Sequence, residues 1–149
     1  VGGAAQRGPS IDLQGAFVLA DQIPFVDYLV LGDAPHLVAQ ECTNCGARFF
    51  DRRSACARCS NTAFKPVPVP TEGILRTFTI VAFAAPGIPV PFVSGVVDCG
   101  GTSVRTNIVN CPADPRHVKT GMKVRLTTFP IGADAKRTEA INFGFEPIP

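Results

Sequence analysis

Four cysteines in two matched pairs carry the chemistry of this chain. Cys42-Thr43-Asn44-Cys45-Gly46 is followed, ten residues on, by Cys56-Ala57-Arg58-Cys59. Two such turns facing each other present four thiolates at the corners of a tetrahedron, and the backbone N–H groups of each turn point at sulfur and stabilise its charge. Soft thiolates select Zn²⁺, with iron as the minor competitor. Four protein ligands leave no open position for water, so the expected ion is structural rather than catalytic. Two disulfides are the competing reading. Against it stand the absence of a recognisable signal segment and a total of six cysteines in 149 residues, too few for a disulfide-built scaffold. A redox pair is also disfavoured, because neither CxxC follows a strand and opens a helix.

The other two cysteines, Cys99 and Cys111, lie outside the pairs. A nucleophilic cysteine needs a base within hydrogen-bond reach and a site for the oxyanion. His117 is the only imidazole near Cys111, and Pro112 and Pro115 intervene. A small buried hydrophobe is the plainer role for each thiol. No HExxH, phosphate-cradling glycine loop, Ser-His-Asp order or paired carboxylate is present. The residues alone describe a zinc-stabilised binding or assembly module with no catalytic residue of its own.

The elements that must position these cysteines read as mostly β. Fourteen glycines and fourteen prolines favour turns over long helices. Val1–Asp12 lacks periodicity and reads as a tail, and residues 11–20 suggest at most a short helical turn. A helix is expected over Asp21–Leu31, with Asp21 as cap, Pro24 in the first turn and Gly32 as the stop. His36–Glu41 reads as a strand leading into the first cysteine pair, and Phe49 and Phe50 supply apolar bulk between the pairs. A ribbon this small has little core, so zinc supplies most of its folding free energy, about 10–16 kcal/mol for structural sites. Phe64–Pro70 reads as a proline-punctuated linker or edge strand.

Gly73–Phe83 is the clearest strand, dense in β-branched and aromatic residues. A stiff loop, Ala84–Pro91, leads to strands at Phe92–Asp98 and Thr102–Val109, joined by Gly100-Gly101. An irregular connection over Asn110–Lys119 precedes strands at Met122–Phe129 and Glu139–Phe145, with a loop at Ile131–Lys136 between them. Five strands with the longest connection between the third and fourth fit an OB-type Greek-key barrel. The expected organisation is an N-terminal arm and helix over 1–35, a zinc ribbon over 36–70 and the barrel over 71–149.

Composition narrows the partners. Hydrophobic residues make up 46% and charged residues 17%, against about 25% charged in an ordinary soluble domain. That shortfall suggests surface covered by another protein. The formal charge is +2, and four thiolates on one divalent ion bring it to roughly zero. General nucleic-acid binding needs a basic footprint, so a single-stranded nucleic-acid module is the weaker alternative, hinted at only by Arg76, Phe78 and Arg105. No apolar run approaches a membrane span, and a reducing cytoplasm is the expected setting.

The order of motifs resembles one family. A helix, CxxCG-x-x-F-F, an arginine pair, CxxC, a glycine-led strand with Phe-Thr, Pro-Gly and Pro-Phe, a strand ending at Asp98, and Gly121-Met122-x-Val124 run from about Phe25 to Phe145. This is similar to the small acyl-CoA-associated proteins that join a rubredoxin-like zinc ribbon to an OB-fold. The resemblance implies a non-catalytic subunit beside a thiolase-like large subunit in a hetero-oligomer, with CoA or acyl-CoA bound mainly by the partner. An acyltransferase or an aldolase-type thiolase homologue are alternative partners. The overall look is nearest to members serving the thiolase that cleaves 2-benzoylsuccinyl-CoA to benzoyl-CoA and succinyl-CoA in anaerobic toluene degradation. Carried over, Cys42, Cys45, Cys56 and Cys59 match the zinc ligands. Pro86, Gly87, Pro91 and Phe92 match a loop near the partner's substrate channel. Arg48, Arg52 and Arg53 form a basic face open to CoA phosphates or to the partner. The family's usual Pro-Arg after the paired aromatics is Asp51-Arg52-Arg53 here, which weakens inference about that loop alone.

Overall fold

A computed structural model describes residues 6–11 and 17–149, and for residues 6–11 and 17–20 the backbone path only. The described chain forms eleven strands: β1 Gln6–Ile11, β2 Phe17–Pro24, β3 Leu29–Val30, β4 His36–Cys42, β5 Arg48–Phe49, β6 Phe64–Pro68, β7 Glu72–Val81, β8 Phe92–Cys99, β9 Thr102–Ile108, β10 Lys123–Ala133 and β11 Glu139–Pro147. Among the described residues there is no α-helix.

The last five strands close on themselves. β7, β8 and β9 form an antiparallel meander, β11 pairs with β9 in parallel at Phe145 and Ile108, and β10 bridges β11 back to β7. This is the five-stranded OB barrel expected from the sequence. Alternation drives it. In β8, Val93, Gly95, Val97 and Cys99 point inward while their neighbours are half-buried. Leu75, Val104, Ile108, Val124, Phe143 and Phe145 complete the interior. β7 must coil to serve both neighbours, and its register shifts between Leu75 and Thr77. Gly73 makes this possible, since a Cβ there would lie 2.5 Å from the Asp98 carbonyl oxygen and 2.6 Å from Val97. β10 also runs further than the sequence suggests. A second register shift between Pro130 and Gly132 carries it through the expected loop to Ala133.

The helix expected over Asp21–Leu31 is replaced by the end of β2, a turn and β3. Parallel pairing accounts for this. Gln22, Ile23 and Pro24 lie beside Glu139, Ala140 and Ile141 of β11, and the Phe25 N–H donates to the Ile141 carbonyl at 2.7 Å. Those groups cannot also serve an i to i−4 ladder, so the tertiary partner overrides the local propensity. Leu29 is then free to be buried against Leu37 and Ala39. The expected tail over Val1–Asp12 lies partly outside the described residues. Its described part is β1, paired antiparallel with β2. The helical turn suggested over 11–20 is likewise strand where it is described, at 11 and 17–20.

The second sheet carries the cysteines. β4 is its central strand, with β3 on one side and with β5 and β6 pairing along the rest. Tyr28 ties this sheet to the barrel, its ring lying 4.9 Å from Phe50 and 6.0 Å from Phe143. Leu29, Leu37 and Ala39 of this sheet join the barrel interior in one continuous cluster.

Candidate metal centre

Both cysteine pairs are built by the same backbone device. In the first, the Cys42 carbonyl accepts the Gly46 N–H at 3.0 Å, and the Cys42 N–H donates to Ala47 at 2.8 Å. In the second, the Cys56 carbonyl accepts the Ser60 N–H at 2.9 Å, and the Cys56 N–H donates to Asn61 at 2.7 Å. The residue closing each turn is left-handed, Gly46 at φ 75° and Ser60 at φ 65°. The first turn grows from the end of β4. The second is anchored to it through the Thr43 N–H on the Ala63 carbonyl and through Phe64 opposite Cys42.

The turns bring four sulfurs together. All four Sγ atoms lie within 4.8 Å of one another, with Cys42 to Cys59 at 3.5 Å and Cys45 to Cys56 at 3.6 Å. A tetrahedron with Zn–S of about 2.3 Å has edges of about 3.8 Å, so the set fits one zinc ion closely. The same distances far exceed a disulfide bond, and all six cysteines are free. Cys42 and Cys56 are buried, while Cys45 and Cys59 are half-buried.

Local donors favour thiolates. The Cys42 thiol is lowered to about 6, first by the Cys45 N–H, with the Asn44 N–H and the Asn61 side chain adding to it. Cys59 is lowered by the Asn44 side chain and the Asn61 N–H. At Cys45 the Ala47 N–H pulls the thiol down, but burial and the three neighbouring sulfurs push it up to about 11. Four sulfurs without a cation compete for protons in this way, and a divalent ion at their centre reverses the competition. The donor set matches structural zinc, with no vacant ligand position.

The other residues singled out in the sequence are spread around the molecule. Arg48 is committed within the chain: its Nε donates to Glu41 Oε2 at 2.8 Å and its guanidinium to Thr102 Oγ1 at 3.2 Å, which links ribbon to barrel. Arg53 sits 4.2 Å over the Phe49 ring and donates to Asp51. Arg52 lines a groove of about 510 Å³ at the ribbon–barrel seam, together with Tyr28, Phe50 and Arg105 of β9. Arg53 lines the same groove, and Arg105 has no ion-pair partner among the described residues.

Pro86 and Gly87 lie in the β7–β8 loop, Val90-Pro91 is a cis peptide, and Phe92 opens β8. Phe83, Ile88 and Val90 on that loop are 87%, 52% and 43% exposed. Arg76 is ion-paired to Asp98 at 2.8 Å, and Phe78 packs on the core. Cys111 and His117 share no hydrogen bond, and burial pushes the Cys111 thiol up. Sequence reasoning missed Asn61, whose amide reaches the Cys42 sulfur at 3.6 Å. Its only signal was a polar amide just after the second cysteine pair.

Comparison with known proteins agrees with this architecture. Residues 31–65 match the family described as ChsH2, rubredoxin-like zinc ribbon domain. Residues 66–129 match the one described as ChsH2, C-terminal OB-fold domain. The chain therefore belongs to the ChsH2-type class that joins a zinc ribbon to an OB-fold. It is 25% identical over 138 residues to a DUF35 domain-containing scaffold protein of Methanocaldococcus jannaschii, covering 89% of this chain and 96% of that protein. It is 31% identical over 67 residues to the benzoylsuccinyl-CoA thiolase subunit BbsA of Thauera aromatica, covering 45% of this chain and 46% of that protein. The solved structure of an Ltp2-ChsH2(DUF35) aldolase shares the fold, with TM-score 0.60 and 24% identity over 75% of this chain and 84% of that one. Among the described residues no helix is long and apolar enough to cross a membrane.

Proposed function

We propose that this chain is a non-catalytic, zinc-containing accessory subunit of a thiolase-like enzyme acting on acyl-CoA. In this reading Cys42, Cys45, Cys56 and Cys59 hold the zinc, the ribbon spans 36–70 and the barrel 71–149. The zinc fixes the ribbon, because four thiolates leave the ion no position for substrate. The observation that carries the docking role is the apolar β7–β8 loop, where Phe83, Ile88 and Val90 stand exposed beside Pro86, Gly87 and Pro91. Apolar groups concentrated on one loop mark an interaction surface. Likeness to a scaffold protein and to a thiolase subunit supports the same reading.

The finer proposal is a partner that cleaves 2-benzoylsuccinyl-CoA, supported by the likeness to BbsA over 67 residues. The partner's cysteine thiolate attacks the benzoyl ketone. The C–C bond breaks to release succinyl-CoA, and the benzoyl group passes from the enzyme to a fresh CoA. This chain transfers no proton. It shapes the channel mouth with the β7–β8 loop and holds the large subunit in a competent arrangement. In the groove, Arg52, Arg53 and Arg105 are the cations available to the phosphates of CoA, with Arg48 held by Glu41.

Native mass spectrometry of the untagged protein from its own cell extract tests the proposal. The expected result is one zinc per chain and a companion of roughly thiolase-subunit size (about 40 kDa), identified by its peptides. A companion of the aldolase type would replace the benzoylsuccinyl-CoA reading while keeping the accessory role. A zinc protein that stays alone at all concentrations would overturn both.

A further inference from the structure

One of the two asparagines beside the cysteine pairs reaches across the metal centre. Asn61 follows the second pair, yet its Nδ2 lies 3.6 Å from Sγ of Cys42 in the first. The orientation of the Asn61 amide is fixed by its surroundings. The same nitrogen is 3.0 Å from Thr43 Oγ1 and 3.1 Å from the Ala63 carbonyl, while the Thr43 hydroxyl itself donates to Ala63 at 3.1 Å. Turning the amide over would set its oxygen against these acceptors, so the N–H₂ end must face the sulfur.

Backbone donors alone do not serve the four sulfurs equally. Cys45 receives the Ala47 N–H and Cys56 the Arg58 N–H, the latter at 3.4 Å. Cys42 has the Asn61 side-chain amide in addition, at 3.6 Å. Its sulfur lies 3.5 Å from that of Cys59, and those of Cys45 and Cys56 are 3.6 Å apart. A zinc tetrathiolate carries two net negative charges in a partly buried site, and N–H donors spread that charge. Here the added donor crosses from one cysteine turn to a buried sulfur of the other.

We infer that Asn61 is a positioning residue of the zinc centre, donating from the second cysteine turn to a thiolate of the first and so locking the two turns around one ion. Outer donors of this kind typically contribute 10–100-fold in metal affinity. The inference rests on zinc occupying the four-cysteine site, and the experiment separates the two.

The full-length protein is made as wild type, Asn44→Ala, Asn61→Ala and Thr43→Val. Zinc content is measured first, then zinc transfer to a competing chelator, then the sulfur-to-metal charge-transfer band after replacement by Co²⁺. Thr43→Val removes a partner of the Asn61 amide but leaves the amide facing Cys42. Asn61→Ala is expected to lose zinc to the chelator at about 10-fold lower concentration or less. Its Co²⁺ band should move to longer wavelength, because a sulfur without its donor is more easily oxidised. Asn44→Ala and Thr43→Val should leave the band in place. Unchanged retention and band in Asn61→Ala would overturn the inference, as would a shift as large in either control. If Asn61→Ala does not fold, Asn61→Leu, which keeps the bulk and removes the N–H donor, decides. A wild-type protein that holds no zinc would instead overturn the metal assignment itself.

Discussion

Ser60 does at the second cysteine turn what Gly46 does at the first, but with a side chain. Its φ of 65° is left-handed, a conformation that costs an L-residue roughly 1–2 kcal/mol and glycine almost nothing. Ser60→Gly should therefore raise the stability of the zinc-loaded protein by up to about 1 kcal/mol, read as a higher denaturation midpoint. Gly46→Val should do the reverse. Cys99 makes a separate residue-scale prediction. Burial, with a smaller contribution from the Asp98 charge, pushes its thiol up to about 11 from an ordinary 9.0. The folded state thus keeps the proton that the unfolded state releases first. The resulting stability is complete below pH 9 and is lost as pH rises towards 11. The loss should be on the order of 1–2 kcal/mol once solvent screening is allowed for. Chemical denaturation across that window should show the decline in wild type and a shallower one in Cys99→Ala.

The strands separate into those held by metal and those held by alternation. β4, β5 and β6 meet around two cysteine turns, and their apolar cover is thin beside that of the barrel. Removal of the ion by a strong chelator should expose the amides of 38–68 to hydrogen exchange well before those of β7, β8 and β9. Equal loss of protection throughout would mean that the continuous core couples the two sheets into one unit. The β7–β8 loop carries the opposite expectation. Phe83 is too exposed to hold the fold, so Phe83→Ser should shift stability by less than about 0.5 kcal/mol. If the loop docks on a partner, the same change should weaken capture of that partner at least about tenfold, since a buried aromatic anchor commonly contributes well over 1 kcal/mol.

At the scale of the molecule, two contacts reinforce the core that the sheets share. Tyr28 lies between Phe50 and Phe143, and Arg48 reaches from the Glu41 carboxylate to Thr102. Arg48→Met keeps the stem but strands Glu41 beside Lys65 alone. It should destabilise the protein without changing zinc content. Acid should act on the same network. Glu41 is held below the usual carboxylate range, first by the Arg48 hydrogen bond, and Glu146 by Asn110 and Arg125. Carboxylates lowered in this way stabilise the fold above their unfolded value, and the contribution disappears as pH falls through the folded one. A stability profile should therefore decline below about pH 5, and less steeply in Arg48→Met.

Cysteine spacing and strand alternation were readable directly, because each depends on residues close in sequence. The runs Gly73–Phe83 and Phe92–Asp98 identified barrel strands to within one or two residues of β7 and β8. The paired cysteines identified a metal centre before any geometry was known. The N-terminal helix failed for the complementary reason. Residues 21–31 carry an acceptable helical pattern, but β11, more than a hundred positions away, takes up their backbone hydrogen bonds. The availability of the arginines was equally hidden. Arg48, Arg52 and Arg53 are indistinguishable as sequence, and only folding commits one to Glu41 and another to the Phe49 ring while Arg105 joins the groove. Local chemistry follows from types and spacing. Which of several equivalent groups is left for function is decided by partners that only the tertiary structure brings near.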